Sequence, residues 1–297
     1  MKTNPQTGAA EAEAKRKPVF LKFADVPRAF MDETGFMLAD YSVALGYFED
    51  EKARTPTIKG SGVLVRKGNR FGVLTAYHCV HRPLGPDLQL GKIGGHKLAL
   101  VIRRSNTVMV PSEVVVKHAL AKPDDETLEP DLAFLEIFPS PALSSIKAIA
   151  SFWSLDKKYR DKANKFRKVG TPFTVIGFPG VYQKKIEGKP SRHILKHMAY
   201  FYAITSDGVS KRGGWDYVEA NNRYDEGHDL PATFAGVSGG PVWGLHIHRE
   251  KDGGKLKLED FCLIGIAFLQ DPISKKKLRI RAHFIKSIYD VAWQRLN

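Results

Sequence analysis

The sequence predicts an all-β fold that closes with a helix, and three observations support this prediction. Short apolar and β-branched runs recur along the chain, separated by turns rich in Gly, Pro and Asp. Hydrophobic residues make up 43% and aromatic residues 10% of the 297 residues, which suffices for the cores of two modest barrels. Apolar residues near the end recur at intervals of three and four, so we expect an amphipathic C-terminal helix there.

Composition divides the chain into four predicted parts. Residues 1–18 have no apolar periodicity and are expected to form a flexible tail. Residues 139–170 lose strand character, and 155–168 are a lysine-rich, partly helical connection. We therefore predict an N-terminal barrel at 19–145, a basic linker at 146–170, and a C-terminal barrel with a terminal helix at 171–297.

Local patterns predict the elements in order. In the first barrel we expect a short helix at 27–33 and strands at 35–48, 58–65, 71–75, 97–103, 114–116 and 131–137. In the second barrel we expect strands at 173–176, 197–205, 215–220, 242–248 and 261–268. The apolar residues of the closing helix are Phe284, Ile285, Ile288, Tyr289, Ala292, Trp293 and Leu296.

A glycine-rich turn carries the strongest functional signal. Residues 236–241 read Gly-Val-Ser-Gly-Gly-Pro, so Ser238 lies in a tight turn whose small neighbours allow backbone N–H groups to converge on a reacting carbonyl. Such a turn alone is more often an ordinary surface turn. Two residues upstream favour the catalytic interpretation.

These two residues have the chemistry that an attacking serine needs. His78 follows the apolar run 71–74, and Asp131 opens the apolar stretch 131–137. A serine hydroxyl needs a base to take its proton, and the base needs a carboxylate that fixes its tautomer. A lone His or Asp at a strand end is usually structural, but the order His78, Asp131, Ser238 predicts a catalytic triad.

The three blocks resemble those of the trypsin/chymotrypsin-like serine peptidases, and the disulfide-free bacterial branch in particular. The matching blocks are Thr-Ala-Tyr-His-Cys at 75–79, Asp-Leu-Ala-Phe-Leu at 131–135 and the Ser238 turn. The resemblance implies two six-stranded antiparallel β-barrels of the chymotrypsin type, with the active site between them. It also implies an oxyanion hole formed by the N–H groups of Gly236 and Ser238.

The resemblance further implies a primary specificity pocket. Ala232 would lie at its floor, while Ala267, Phe268 and Gln270 would line one wall. Because Ala232 is not acidic, we expect a small or modest apolar side chain rather than Arg or Lys to be preferred. Val237 replaces the acid that pairs with a new amino terminus in animal zymogens, so that mode of activation is excluded.

The remaining composition limits compartment and partners. Cys79 and Cys262 are the two cysteines, so we expect free thiols and a cytoplasmic, reducing location. There is no signal-peptide h-region and no apolar run of 18 residues, so no membrane span is expected. The formal net charge of +14 favours acidic partners, but no nucleic-acid-binding motif accompanies it, so nucleic acid is an unlikely partner.

The predicted function is that of a serine endopeptidase acting on protein or peptide substrates, without cofactor or metal, and with a regulatory protein partner as an option. The histidine pairs at 193 and 197 and at 246 and 248 lack an evident third ligand. A silent or latent scaffold that binds acidic partners through its basic faces remains an alternative. An esterase with the same acyl-enzyme chemistry is another.

Overall fold

The structure is a computed structural model that describes residues 26–48, 56–84, 97–102, 106–124, 128–179, 184–186, 189–194, 198–203, 208–223, 236–250, 254–274 and 277–296. Antiparallel strands dominate these residues and form two large sheets. The predicted tail at 1–18 lies outside the described residues.

The first sheet belongs to the N-terminal barrel. Its described strands are β1 (Ser42–Phe48), β2 (Thr57–Lys67), β3 (Arg70–Thr75), β4 (Lys97–Ile102), β5 (Asn106–Val110), β6 (Val115–Ala121), β7 (Leu132–Ile137) and β8 (Trp153–Ser154). The strand order is β5-β4-β1-β2-β3-β7-β6, and β8 pairs with β2 in parallel. Val63, Leu64, Val73 and Leu74 are fully buried in the centre of this barrel.

A bent segment closes the first sheet. Pro111 and the 3₁₀ turn Ser112–Val114 separate β5 from β6, which are otherwise consecutive in the chain. Proline cannot donate to a ladder, which accounts for the interruption. Because β5 pairs with β4 while β6 pairs with β7, the two halves of the bent segment join the two ends of the sheet.

The second sheet belongs to the C-terminal barrel. Its described strands are β9 (Pro172–Gly177), β12 (Met198–Ala203), β13 (Val209–Arg212), β14 (Trp215–Arg223), β15 (Pro241–Arg249), β16 (Leu256–Ser274) and β17 (Lys277–His283). They run in the order β12-β9-β15-β16-β17-β14-β13. The strands β10 (Lys184–Ile186) and β11 (Lys189–Ile194) form a separate hairpin.

Helices decorate the barrels and join them. They are α1 (Arg28–Leu38), α2 (His78–Leu84), α3 (Pro141–Ile149), α4 (Lys157–Asn164) and α5 (Ile285–Tyr289). The side chain of Ser140 caps α3 by accepting from the N–H of Leu143, with Pro141 in the first helical position. α3, β8 and α4 together make the connection between the two barrels.

The C-terminal helix is held on the second barrel by a buried carboxylate. Asp216, on β14, is fully buried and accepts the N–H groups of Lys286 at 3.1 Å and Ser287 at 2.7 Å. At the other end of α5, Tyr289 donates to the carbonyl of Leu263 at 2.9 Å and accepts from the indole of Trp153 at 2.9 Å. The terminal helix therefore locks the linker against the second barrel.

The all-β, two-barrel architecture of the chymotrypsin type is confirmed, and several details differ from the sequence prediction. The described sheets contain eight and seven strands where six per barrel were expected, because the bent strand is split, β8 joins from the linker and the β13–β14 hairpin adds an edge. The limits of the four predicted parts stay a prediction.

One element boundary is predicted wrongly, and the C-terminal helix is confirmed but is shorter than expected. The helix extends to Leu38 and β1 begins only at Ser42, because Phe30, Thr34 and Leu38 are buried at helical spacing. The C-terminal helix ends at Tyr289, and the chain continues after Asp290 as the 3₁₀ turn Val291–Arg295. The apolar residues predicted for this helix are buried, except Leu296, which is half-buried.

Candidate active site

His78 and Asp131 are joined in the described structure by two hydrogen bonds. His78 begins α2 directly after β3, and Asp131 immediately precedes β7, which pairs with β3. The N–H of His78 donates to Asp131 Oδ1 at 3.0 Å, and its Nδ1 lies 2.5 Å from Oδ2. An ionised carboxylate only accepts, so Nδ1 carries the proton and Nε2 is left as the basic nitrogen.

Burial and pairing set the charge of this pair. The side chain of Asp131 is 5% exposed and that of His78 is 41% exposed, so the imidazole reaches from a buried carboxylate towards solvent. Burial lowers the pKa of His78, but the hydrogen bond to Asp131 and the neighbouring Cys79 raise it more, so the pKa lies above its ordinary value of 6.5. The carboxylate thus favours the imidazolium form.

The turn that carries Ser238 is built from glycines for steric reasons. Gly236 and Gly239 have φ values of 98° and 84°, which L side chains rarely adopt. A Cβ on Gly239 would lie 2.1 Å from the carbonyl oxygen of Ser61 and 2.1 Å from Thr75 Oγ1. The turn therefore packs directly onto the first barrel.

Two backbone N–H groups of the turn donate hydrogen bonds to carbonyls of the protein. The N–H of Gly239 donates to the carbonyl of Ala267 at 2.6 Å, and that of Gly240 donates to the carbonyl of Val237 at 2.8 Å. For the N–H groups of Gly236 and Ser238, no acceptor is found among the described residues. These are the two amides that the resemblance assigns to an oxyanion hole.

Ser61 of β2 clamps this turn from the first barrel. Its N–H donates to the carbonyl of Ser238 at 2.7 Å, and its hydroxyl donates to the carbonyl of Gly236 at 2.5 Å. The same hydroxyl accepts from the N–H of Phe178 at 3.0 Å, and Thr75 donates to the carbonyl of Ser61 at 2.7 Å. Sequence reasoning missed Ser61, because a serine inside a strand carries no catalytic signature.

Cys79 lies between His78 and the turn that carries Ser238. Its buried thiol lies 3.6 Å from His78 Nε2 and 3.4 Å from the carbonyl oxygen of Ser238. A Cβ on Gly60 would lie 2.5 Å from this sulfur, so Gly60 leaves the room that the thiol fills. Cys79 and Cys262 are both free and buried.

The hydroxyl of Ser238 faces β16 of its own barrel. It donates to the carbonyl of Phe268 at 3.4 Å and, within the described residues, makes no hydrogen bond to His78. Phe268 lies at a register shift between β16 and β17, where a bulge turns its carbonyl away from the ladder. A distance of 3.4 Å is long for an O–H···O bond.

A small cleft lies beside Ser238. Its lining includes Val237, Ser238, Ala267, Phe268, Leu269, Gln270 and Ile280. Ala267, Phe268 and Gln270 were expected at a specificity pocket, and their contact with substrate stays a prediction. Ala232 lies outside the described residues. Ile280, which pairs with Gln270 across β16 and β17, was missed because its pattern is that of any buried strand residue.

An ion-pair network around the buried Glu129 supports the Asp131 segment. Glu129, two residues before Asp131, is 5% exposed and lies 2.9 Å from an Nη1 of Arg281 and 3.3 Å from Nη1 of Arg212. Arg281 also lies 3.2 Å from Glu219 on β14. The segment before Asp131 is thus tied to the second barrel by charge as well as by packing.

Other candidate features do not form sites in the described part of the chain. His246 and His248 flank Glu259 at 3.5 and 3.3 Å, but no group of three ligating side chains there is suited to a metal. The side chain of His193 and the whole of His197 lie outside the part of the chain that the structure describes. No helix among the described residues is long and apolar enough to cross a membrane.

The basic linker is partly neutralised. Arg160 pairs with Asp290 at 2.9 Å, and Lys162 pairs with Asp260 at 2.5 Å. Both pairs tie α4 to the second barrel or the terminal segment. The basic residues of this helix therefore serve packing as well as presenting charge to solvent.

These features define a class of protein: two β-barrels with a hydrogen-bonded His–Asp pair on one and a glycine-rich serine turn on the other, as in chymotrypsin-like peptidases. A comparison with protein-family models matches residues 60–245 to the trypsin-like peptidase domain. The match covers more than half of the chain and includes all three motif blocks, so the chain belongs to this family. A search of curated proteins finds no significant match.

Proposed function

We propose that this protein is a serine endopeptidase that works through an acyl-enzyme on Ser238. The observation that carries the proposal is the assembled His78–Asp131 pair beside a serine turn that is bonded to the same barrel. Two amides of that turn have no acceptor among the described residues. A base, its orienting carboxylate, a nucleophile and oxyanion donors are the parts that acyl transfer requires.

The chemistry follows from the protonation state of each group. Ser238 Oγ attacks the carbonyl carbon of the peptide bond and gives its proton to Nε2 of His78, while Asp131 stays ionised and stabilises the imidazolium. The imidazolium then gives the proton to the departing amine, which leaves the acyl group on Ser238. Water, deprotonated by His78, attacks the ester and releases the acid.

The oxyanion of the tetrahedral intermediate would be held by the N–H groups of Gly236 and Ser238. Donors already in position stabilise the developing charge without reorganisation, and each is worth roughly 3 kcal/mol of barrier. Ser61 supports this arrangement because it bonds the carbonyls on both sides of Val237.

The nucleophile must leave its resting partner before it can react. Its bond to the carbonyl of Phe268 is long at 3.4 Å, so little opposes rotation of the hydroxyl about χ1. We infer that Ser238 turns to His78 when a substrate occupies the cleft. This resting orientation is also the observation that favours the second candidate, a latent or silent peptidase-like scaffold.

Active-site labelling separates the two candidates. A fluorophosphonate probe is reacted with the wild-type chain, Ser238→Ala, His78→Ala and the exposed control Ser144→Ala, and the adduct is mapped by mass spectrometry. We expect labelling on Ser238 that requires His78 and survives Ser144→Ala. Labelling that persists in Ser238→Ala, or none in the wild type across the pH range, contradicts an assembled nucleophile.

The pH dependence of labelling tests the base. Proton acceptance needs neutral His78, whose pKa is raised by its partners, so the rate rises with pH through a midpoint above 6.5. A midpoint below 6.5 would show that the pairing with Asp131 does not control the base.

A further inference from the structure

A buried histidine touches the candidate triad from the opposite barrel. Nε2 of His283 accepts the backbone N–H of Asp131 at 3.1 Å. Asp131 is 4% exposed and His283 is fully buried. His283 ends β17, whose backbone pairs there with Tyr217 of β14 and Ile266 of β16, so this imidazole is carried by the interior of the second sheet.

The hydrogen bond defines the tautomer of His283. Because the backbone N–H of Asp131 is a donor, Nε2 must be an unprotonated acceptor and the ring proton must lie on Nδ1. Burial lowers the pKa of His283 to about 4, so the ring is neutral at neutral pH. The rings of Trp215, Tyr217 and Phe268 lie with centroids 5.2, 5.2 and 4.8 Å away and hold its orientation.

An imidazole at this position lowers the stability of the fold if its only role is to fill space. Nδ1 of His283 is buried and has no hydrogen-bond partner in the described structure. An unpaired buried donor destabilises a fold, whereas an apolar side chain of similar size would avoid that cost. What the imidazole supplies in return is the acceptor for Asp131.

Asp131 needs an anchor that does not come from His78. Its carboxylate is bonded to His78 twice, so these bonds hold the two residues to each other but not to a fixed place. Asp131 precedes the β7 ladder, which begins at Leu132, so that ladder does not hold its N–H. The bond to His283 fixes the aspartate from outside the pair.

We propose that His283 is a positioning residue for the candidate triad: it fixes Asp131 through the backbone and thereby orients His78. The inference rests on the proposed function for its kinetic consequence. Phe268 joins both ends of the arrangement, because its ring packs on His283 while its carbonyl accepts the hydroxyl of Ser238. The second barrel thus positions the aspartate and the serine through adjacent strands.

The test compares variants that differ in the acceptor. His283→Leu removes it, His283→Gln keeps a side-chain oxygen that can accept the same N–H, and Ile288→Val is a matched destabilising control in buried α5. The fluorophosphonate labelling rate is measured per folded molecule. We expect His283→Leu to slow labelling by about tenfold to a hundredfold, as small misplacements of catalytic groups do. His283→Gln should recover most of the rate, and Ile288→Val should match the wild type.

A spectroscopic readout separates positioning from stability. The Nδ1–H proton of His78, which is hydrogen-bonded to Asp131, is followed by its resonance in the downfield region of the proton NMR spectrum. We expect its resonance to shift or to be lost by exchange in His283→Leu and to be kept in His283→Gln, with the labelling midpoint of the Leu variant falling towards 6.5. If the Leu variant does not fold, His283→Asn, which is too short to reach the amide, takes its place.

The outcomes are distinct for the two proposals. A folded acceptor-free variant with the wild-type labelling rate, pH midpoint and Nδ1–H resonance overturns the positioning role. If the wild type is not labelled at all, the proposed function fails, while the NMR comparison still decides whether His283 orients the His78–Asp131 pair.

Discussion

Replacing Ser61 with alanine tests how the first barrel holds the turn that carries Ser238. Ser61 is fully buried, and its hydroxyl donates to the carbonyl of Gly236 at 2.5 Å and accepts from the N–H of Phe178 at 3.0 Å. Ser61→Ala removes both bonds. The backbone bond from Ser61 to Ser238 remains, so the strand itself should keep its place.

The size of the effect follows from the groups left unpaired. Each buried group without a partner costs about 1–3 kcal/mol, so we expect a loss of roughly 2–4 kcal/mol in the free energy of unfolding after some relaxation. Gly236 has a φ of 98° and no Cβ, so its freed carbonyl can rotate and disorder the two N–H groups proposed for the oxyanion hole. Since deleting one such donor costs about 10²–10³ in rate, loosening them should slow labelling by roughly tenfold to a hundredfold.

Ser42→Ala provides the matched control. Ser42 is also a fully buried strand serine whose hydroxyl donates to a backbone carbonyl, that of Leu38 at 3.3 Å, but within the described residues its hydroxyl makes no hydrogen bond to the turn. Urea unfolding and the second-order labelling rate are measured for both variants. If Ser61→Ala loses no more stability than Ser42→Ala and labels at the wild-type rate, the clamp does not act as described.

Three further predictions concern the pair, the buried histidine and the cleft. Asp131→Asn should slow labelling by about 10⁴-fold, because an amide stabilises the wrong tautomer of His78, and a rate near that of the wild type would contradict the triad. The free energy of unfolding should fall by roughly 3 kcal/mol as pH drops from 6.5 to about 4, because the unfolded chain protonates His283 and the folded one does not. The slope of this free energy against pH should be smaller in His283→Gln. Equal slopes for the two proteins in urea unfolding measurements would refute this prediction. Ile280→Ala should widen the cleft and shift peptide cleavage towards larger apolar side chains by about tenfold, whereas an unchanged cleavage profile would exclude Ile280 from the pocket.

Much of the architecture could be predicted because it depends on local chemistry. Short apolar and β-branched runs between Gly, Pro and Asp turns located most strands. The lysine-rich stretch without strand character indicated the connection between the two barrels, whose limits stay a prediction. The first helix was predicted to end at residue 33, because the run 35–48 was interpreted as a strand, yet Gly35 is buried within α1. Tertiary burial of Phe30 and Leu38 outweighed the local preference.

In the candidate site, too, some residues could be predicted from the sequence and others could not. The motifs around His78, Asp131 and Ser238 indicated a base, a carboxylate and a nucleophile from residue types and order alone, and their catalytic roles stay proposals. Ser61 and His283 had no such signal, because a serine inside a strand and a histidine at the end of an alternating strand are ordinary core residues. Their importance rests on bonds across 175 and 152 residues of chain.

By itself, the amino-acid sequence determined the all-β class, the order of the three motif blocks, the free thiols and the burial of the terminal segment. Only the tertiary structure decided that Ser61 clamps the serine turn, that His283 holds Asp131, that Ser238 rests on Phe268, and that Ile280 lines the cleft. The physical reason is range: backbone propensity and apolar periodicity act over a few neighbouring residues, whereas a hydrogen bond between two barrels depends on the packing of the whole chain.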